Sequence, residues 1–175
     1  MNGVDIVWAA AGAALLFWIV GAYNRLVRLR GRIVREFAPA HEQFRRRHAL
    51  LLEQTDALGA VLASAAPRVE ALRAACEQVF AACARASVRP GAVGAITSLR
   101  LADAILVEAR ARLPVQHVPG VDLAGLNARL TEADALLAFE RSRFNDAVRD
   151  YNQAVRLFPT VLIVGLFGFR SAATL

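Results

Sequence analysis

The first apolar run of the chain extends from Ile6 to Asn24 without a charge, and Trp8 and the Trp18/Tyr23 pair lie near its two ends. An uncharged stretch of about 20 residues, rising ~1.5 Å per residue, matches the hydrocarbon core of a bilayer. Amphipathic rings favour the headgroup level at its edges. A cleaved signal would need a basic leading segment, yet the charged side chain before the run is Asp5. A transmembrane helix is therefore predicted over residues 1–24. Beyond it, Leu26, Leu29, Ile33, Phe37, Ala40, Phe44, Leu51 and Leu58 mostly step by three or four. That period predicts that the anchor continues as a long amphipathic helix. Pro39 lies inside this run and is expected to kink it, because proline removes an amide donor and crowds the preceding turn.

After Ser64-Ala65-Ala66, Pro67 suits the first turn of a second helix with Val69, Leu72, Cys76, Val79 and Cys83 on one face. Arg89-Pro90-Gly91 reads as a turn. A third helix is predicted from Val93 to Leu113 on Ile96, Leu99, Ile105 and Leu106, followed by a loop from Pro114 to Gly120. Asp122 can cap a fourth helix whose seam comprises Leu123, Leu126, Leu130, Ala133, Leu137, Glu140, Phe144, Val148, Tyr151, Val155 and Phe158. Pro159 ends it, and the apolar stretch Val161–Phe169 is too short to cross a bilayer. The fold class is thus all-α: an N-terminal transmembrane helix, then an antiparallel, up-and-down bundle of about four helices. Residues 25–175 should form one domain around a single core.

Charge adds a direction. Residues 25–50 hold eight arginines against Glu36 and Glu42, an excess of +6 that equals the formal charge of the whole chain. Positive flanks stay in the cytoplasm, so the N-terminus is expected outside and the bundle inside. Arg25, Arg28, Arg30, Arg32 and Arg35 would then face anionic lipid, worth about 1 kcal/mol each. Cys76 and Cys83 are seven positions apart on one predicted helix, about 10.5 Å along its axis, too far to bridge each other. Free packing thiols fit a reducing compartment.

Motifs for chemistry are sparse. His41-Glu42 begins like a zinc-protease motif, but Arg45 stands where the second histidine must be. His41 and His48 are too far apart on one helix to share an ion, and His117 falls in the predicted loop. We find no phosphate-cradling glycine loop and no nucleophile motif, so no catalytic, cofactor or metal residue is assigned. Phe37 and Phe44 fall on the seam and offer no stacking platform, which argues against nucleic acid. Glu140 interrupts an apolar seam. It is expected to be a buried carboxylate, matched by the Arg45-Arg46-Arg47 cluster.

Two groups of residues resemble the LemA family. At the start these are Tyr23-Asn24-Arg25-Leu26-Val27 and Arg45-Arg46-Arg47-His48-Ala49-Leu50-Leu51. At the end they are Glu140–Asn145, Tyr151-Asn152-Gln153-Ala154-Val155, Phe158-Pro159 and Leu166-Phe167-Gly168-Phe169. The resemblance implies a bacterial, single-pass, N-terminally anchored helical bundle in the plasma (inner) membrane, with no established catalytic role. The chain departs from the family at Leu51-Leu52-Glu53-Gln54, where Pro-Asn-Leu-Val is usual. It also stops at Leu175 without the aromatic and acidic tail of many members. The reading is a non-enzymatic scaffold with an unidentified protein partner. The alternative is an enzyme accessory or hydrolase-like protein with a polar site near Glu140 and Asn145.

Overall fold

Helix α1 (Gly3–Gly59) fuses the two patterns read from its sequence into one unbroken helix, about 85 Å long at ~1.5 Å per residue. In its first part Val4, Ile6, Val7, Trp8, Leu15, Leu16, Phe17 and Val20 are all exposed, and burial begins at Leu26. Its most apolar 18-residue window has a mean hydropathy of 1.9, and none of it is buried. By length and composition this is a helix able to cross a membrane. A soluble core helix of the same composition would be mostly covered. The helix passes through Pro39 without ending, held on both sides by the buried Phe37 and Ala40.

The computed structural model describes residues 3–59, 66–113 and 123–175. The predicted Pro114–Gly120 loop, the Asp122 cap, His117 and the Ser64-Ala65 step lie outside the described residues. Within them, α2 (Ala66–Val88), α3 (Val93–Ala111) and α4 (Leu123–Arg156) follow, then the short α5 (Thr160–Phe167). Each buries the face its period foretold. These faces are Val69, Leu72, Cys76, Val79 and Cys83 of α2, Ile96, Leu99 and Leu106 of α3, and Leu126 to Val155 of α4. Three positions need correcting. Ile105 faces outward, because the α3 seam runs 96, 99, 103, 106 and the aspartate at 103 takes the inward slot. Phe158 is 79% exposed, lying past the end of α4. The third helix stops at Ala111, although Leu113 just beyond it is buried.

Helices α1 and α4 run antiparallel, with Arg32 level with Asp150, Phe37 with Phe144 and Gln54 with Asn127. Helix α2 packs antiparallel on the other flank of α1, and α3 turns back on α2 through Arg89-Pro90-Gly91. Gly91 needs to be glycine twice over. Its φ is +89°, and a Cβ there would come within 3.2 Å of Ile33 and Ala172. The fourth side of the bundle is different. No Cα of α3 comes within 8 Å of a Cα of α4 among the described residues, so the two helices flank an open cleft.

Candidate functional site

The floor of that cleft is polar because three seam positions carry charge. Arg47 takes the slot between Phe44 and Leu51 on α1, Asp103 the slot between Leu99 and Leu106 on α3, and Arg141 follows Leu137 by one turn on α4. The three converge. Asp103 accepts a hydrogen bond from Arg47 on one carboxylate oxygen and from Arg141 on the other. The side chains of Arg47 and Asp103 are only 7% and 8% exposed. Burial alone would push Asp103 upward, but the Arg47 and Arg141 guanidiniums hold its carboxyl below the usual carboxylate range. Both guanidiniums also lie over the Phe44 ring, at 5.4 and 5.0 Å from its centroid. Two turns along, Arg110 of α3 donates to Asp134 of α4 at 2.6 Å, and Arg47 reaches the same carboxylate at 3.5 Å. Two charged bridges thus span α3 and α4, whose backbones stay more than 8 Å apart among the described residues.

The cleft has a volume of about 750 Å³ and is walled by Leu106, Val107, Leu137 and Ala138. Four arginines (Arg47, Arg110, Arg141 and Arg149) line it against the two aspartates. A carboxylate locked between two guanidiniums is held ionised, which suits a fixed bridge and not proton transfer. What the surroundings can do is receive an anionic group beside apolar side chains.

One end of the cleft is closed by the last residues of the chain. After Gly168, in the left-handed conformation at φ +67° that ends α5, the tail runs back along α4. The Asn152 amide donates to the Ala172 carbonyl and accepts from the Ala172 N–H, both at 2.8 Å. Asn145 does the same for Leu175, at 3.0 and 2.8 Å. The Tyr151 hydroxyl donates to the Arg170 carbonyl at 2.9 Å, and the Ala173 N–H donates to Gly91 at 3.1 Å.

The residues singled out from the sequence fall elsewhere. Glu140 does not pair with the Arg45–Arg47 cluster. Its partner is Arg143 on its own helix at 3.5 Å, and Arg143 also reaches Glu36 at 2.9 Å. Arg45 pairs with Glu42, Arg46 with Glu132 and Arg47 with Asp103. Glu140 and Asn145 do not share a site, since both polar atoms of the Asn145 amide are taken by the tail. His41 Nδ1 lies 3.3 Å from the Cys83 sulfur, and the His48 ring stacks on Phe80 with centroids 4.7 Å apart. Burial pushes the Cys83 thiol up to about 12 and the Cys76 thiol to about 11, so both are unreactive packing groups. Among the described residues no three His, Cys, Asp or Glu side chains gather as a metal site. Phe37 and Phe44 are core residues.

Sequence reading missed Asp103 as the buried carboxylate. The signal was present: spacings of 3, 4 and 3 through Ile96, Leu99, Asp103 and Leu106 place it on the seam as firmly as its neighbours.

The architecture is that of an all-helical bundle carried on a helix long and apolar enough to span a membrane. The LemA family profile matches residues 121–175, which are α4, α5 and the tail. The resemblance read from the C-terminal motifs holds over that segment, and the N-terminal motifs lie outside the match. No curated protein and no solved structure matches the chain.

Proposed function

We propose that the protein is a membrane-anchored, LemA-type interaction module without catalytic activity, in which residues 1–24 cross the bacterial plasma membrane and residues 25–175 form a cytoplasmic bundle. Its docking site is the cleft between α3 and α4. The observation that carries this reading is the cleft between α3 and α4, whose backbones stay apart and which is bridged by buried and part-buried ion pairs where apolar closure would stabilise at least as well. A segment with carboxylates among apolar side chains matches the excess of arginine and the Leu106, Val107 and Leu137 walls. The arginines that follow the apolar run support the orientation.

A photo-crosslinking residue placed at Val107 or Ala138, in the cleft, should capture the same discrete protein in growing cells. The same residue at Ala74, exposed on α2, should not. Arg110→Glu should abolish the adducts. Equal adducts at Ala74, or adducts that survive the charge reversal, would remove the cleft as the docking site. A reporter active only in the cytoplasm, fused after Leu175, should be active; external activity would reverse the topology.

A further inference from the structure

We infer that α5 and its flanks form a second membrane contact, lying in the bilayer interface beside the base of the span. This rests on residues 1–24 being a membrane helix, and it assigns the surface to lipid. From Leu157 to Phe169 the chain carries no charge, and arginines stand on either side at Arg156 and Arg170. Within it Leu157, Phe158, Val161, Leu162, Leu166 and Phe167 are all exposed, whereas Ile163 is buried against the bundle. Such a patch of large side chains is unusual on a surface that meets only water.

Its position names the occupant. The α1–α4 register pairs Arg32 with Asp150 and Phe37 with Phe144, and continuing it brings Phe158 level with Tyr23. At the other end of α5, the rings of Phe167 and Phe169 lie 5.0 and 5.8 Å from the Tyr23 ring. The C-terminal end of α5 therefore meets α1 at Tyr23 and its other end lies at the same level, where the uncharged span gives way to Arg25 and Arg28. An eight-residue helix is about 12 Å long, far too short to cross a bilayer but long enough to lie in its headgroup region. The surrounding charge suits anionic lipid: Arg30, Arg89 and Arg170 line one cleft of about 570 Å³ at this end of the bundle. Tail residues 170–175 then run back away from this level along α4, so 157–168 is a loop aimed at the membrane.

The test uses the full chain in vesicles of phosphatidylethanolamine and phosphatidylglycerol. Single cysteines replace Leu162, Leu166, Phe17 and Ala128 in turn, each carrying a nitroxide label. The buried Cys76 and Cys83 serve as the blank in unsubstituted protein. Labels at Leu162 and Leu166 should collide with dissolved oxygen, be shielded from a water-soluble nickel complex, and sit about 5–10 Å beneath the phosphates. The label at Phe17 should lie deeper, and the one at Ala128 should be open to nickel. Nickel access at Leu162 and Leu166 equal to that at Ala128, with Phe17 still in lipid, overturns the inference and leaves the anchor intact. Shielding from both reagents at Leu162 and Leu166 also overturns it, because a protein surface would then cover α5. Nickel access at Phe17 removes the anchor and the inference together.

Discussion

The α1–α4 seam and the α3–α4 face are built from the same helix, yet α4 meets its two neighbours by opposite means. Toward α1 its seam of Leu130, Phe144, Val148 and Tyr151 is buried, and the Phe37 and Phe144 rings meet edge-on with centroids 5.5 Å apart. Toward α3 it presents Asp134 and Arg141, and the backbones stay apart. The first contact stabilises by removing apolar area from water, on the order of 25 cal/mol per Å². The second must offset the desolvation of Arg47 and Asp103 before it contributes anything. A chain selected only for stability would close the fourth side with leucine. That this side carries matched charges instead is why the proposed docking role falls there and the stability at the α1–α4 seam.

Substitution separates the two kinds of contact most sharply where both lose a partner. Phe144→Ala should lower stability by about 3–5 kcal/mol, through lost burial and the cavity left behind. Asp103→Ala should cost up to a similar ~3–5 kcal/mol, because the buried Arg47 loses its nearest carboxylate and keeps only Asp134 at 3.5 Å. The pair Arg47→Met with Asp103→Leu should recover part of that loss, since an apolar pair replaces the two most buried ions while Arg141, 27% exposed, turns its head to water. No single partner change on α1 should rescue Phe144→Ala. Chemical denaturation of the full chain in detergent micelles gives all four values. A double variant as unstable as Asp103→Ala alone would show that the charges are integral to packing.

Acid provides a smaller and reversible version of the same contrast. Asp103 is held below its ordinary carboxylate value in the folded state by Arg47 and Arg141, against the opposing effect of burial. Its stabilisation is therefore complete above the unfolded-state pKa of about 4 and is lost as pH falls through the lower folded-state value. Between pH 5 and pH 3 the wild type should lose stability more steeply than Asp103→Asn, and the gap between the two should narrow as the pH falls. Parallel pH profiles would mean that folding does not lower the Asp103 pKa, and a wild type that gained stability on Asp103→Asn as the pH fell would mean that the carboxyl is neutral in the fold.

How much of this was legible in the sequence follows from the two patterns that carry it. Helical period located four of the five helices, because burial of one face is a repeated constraint that every turn obeys. The eight-residue α5 was legible only as an apolar stretch, since two turns are too few to show a period. The cleft was hidden for a different reason. Its charges occupy seam slots at Arg47, Asp103 and Arg141, where a reading by period expects apolar residues and treats each exception separately. Each exception has meaning only once the helices are placed side by side, and α3 meets α4 through no local signal at all. The clamp on the tail by Asn145 and Asn152 was equally silent, because an amide that binds backbone leaves no mark on the sequence of the strand it holds.

Glu140 yields the smallest effect and closes the comparison from the other side. The period of α4 places it on the seam between Leu137 and Phe144, as the expected buried partner of an arginine on α1. Its side chain is 15% exposed, less covered than the 8% of Asp103, and its partner is not on α1 but is the half-exposed Arg143 one turn on. The inward slot next to Leu137 belongs to Arg141, whose head reaches Asp103. Glu140→Ala therefore removes a long ion pair to a half-exposed arginine and leaves no buried charge unmatched, because Arg143 keeps Glu36 at 2.9 Å. The expected loss is about 0.5–1 kcal/mol, several-fold less than for Asp103→Ala. Thermal melts of Glu140→Ala and Asp103→Ala side by side measure that ratio. Equal losses would return Glu140 to the core and make the α1–α4 seam a second charged contact.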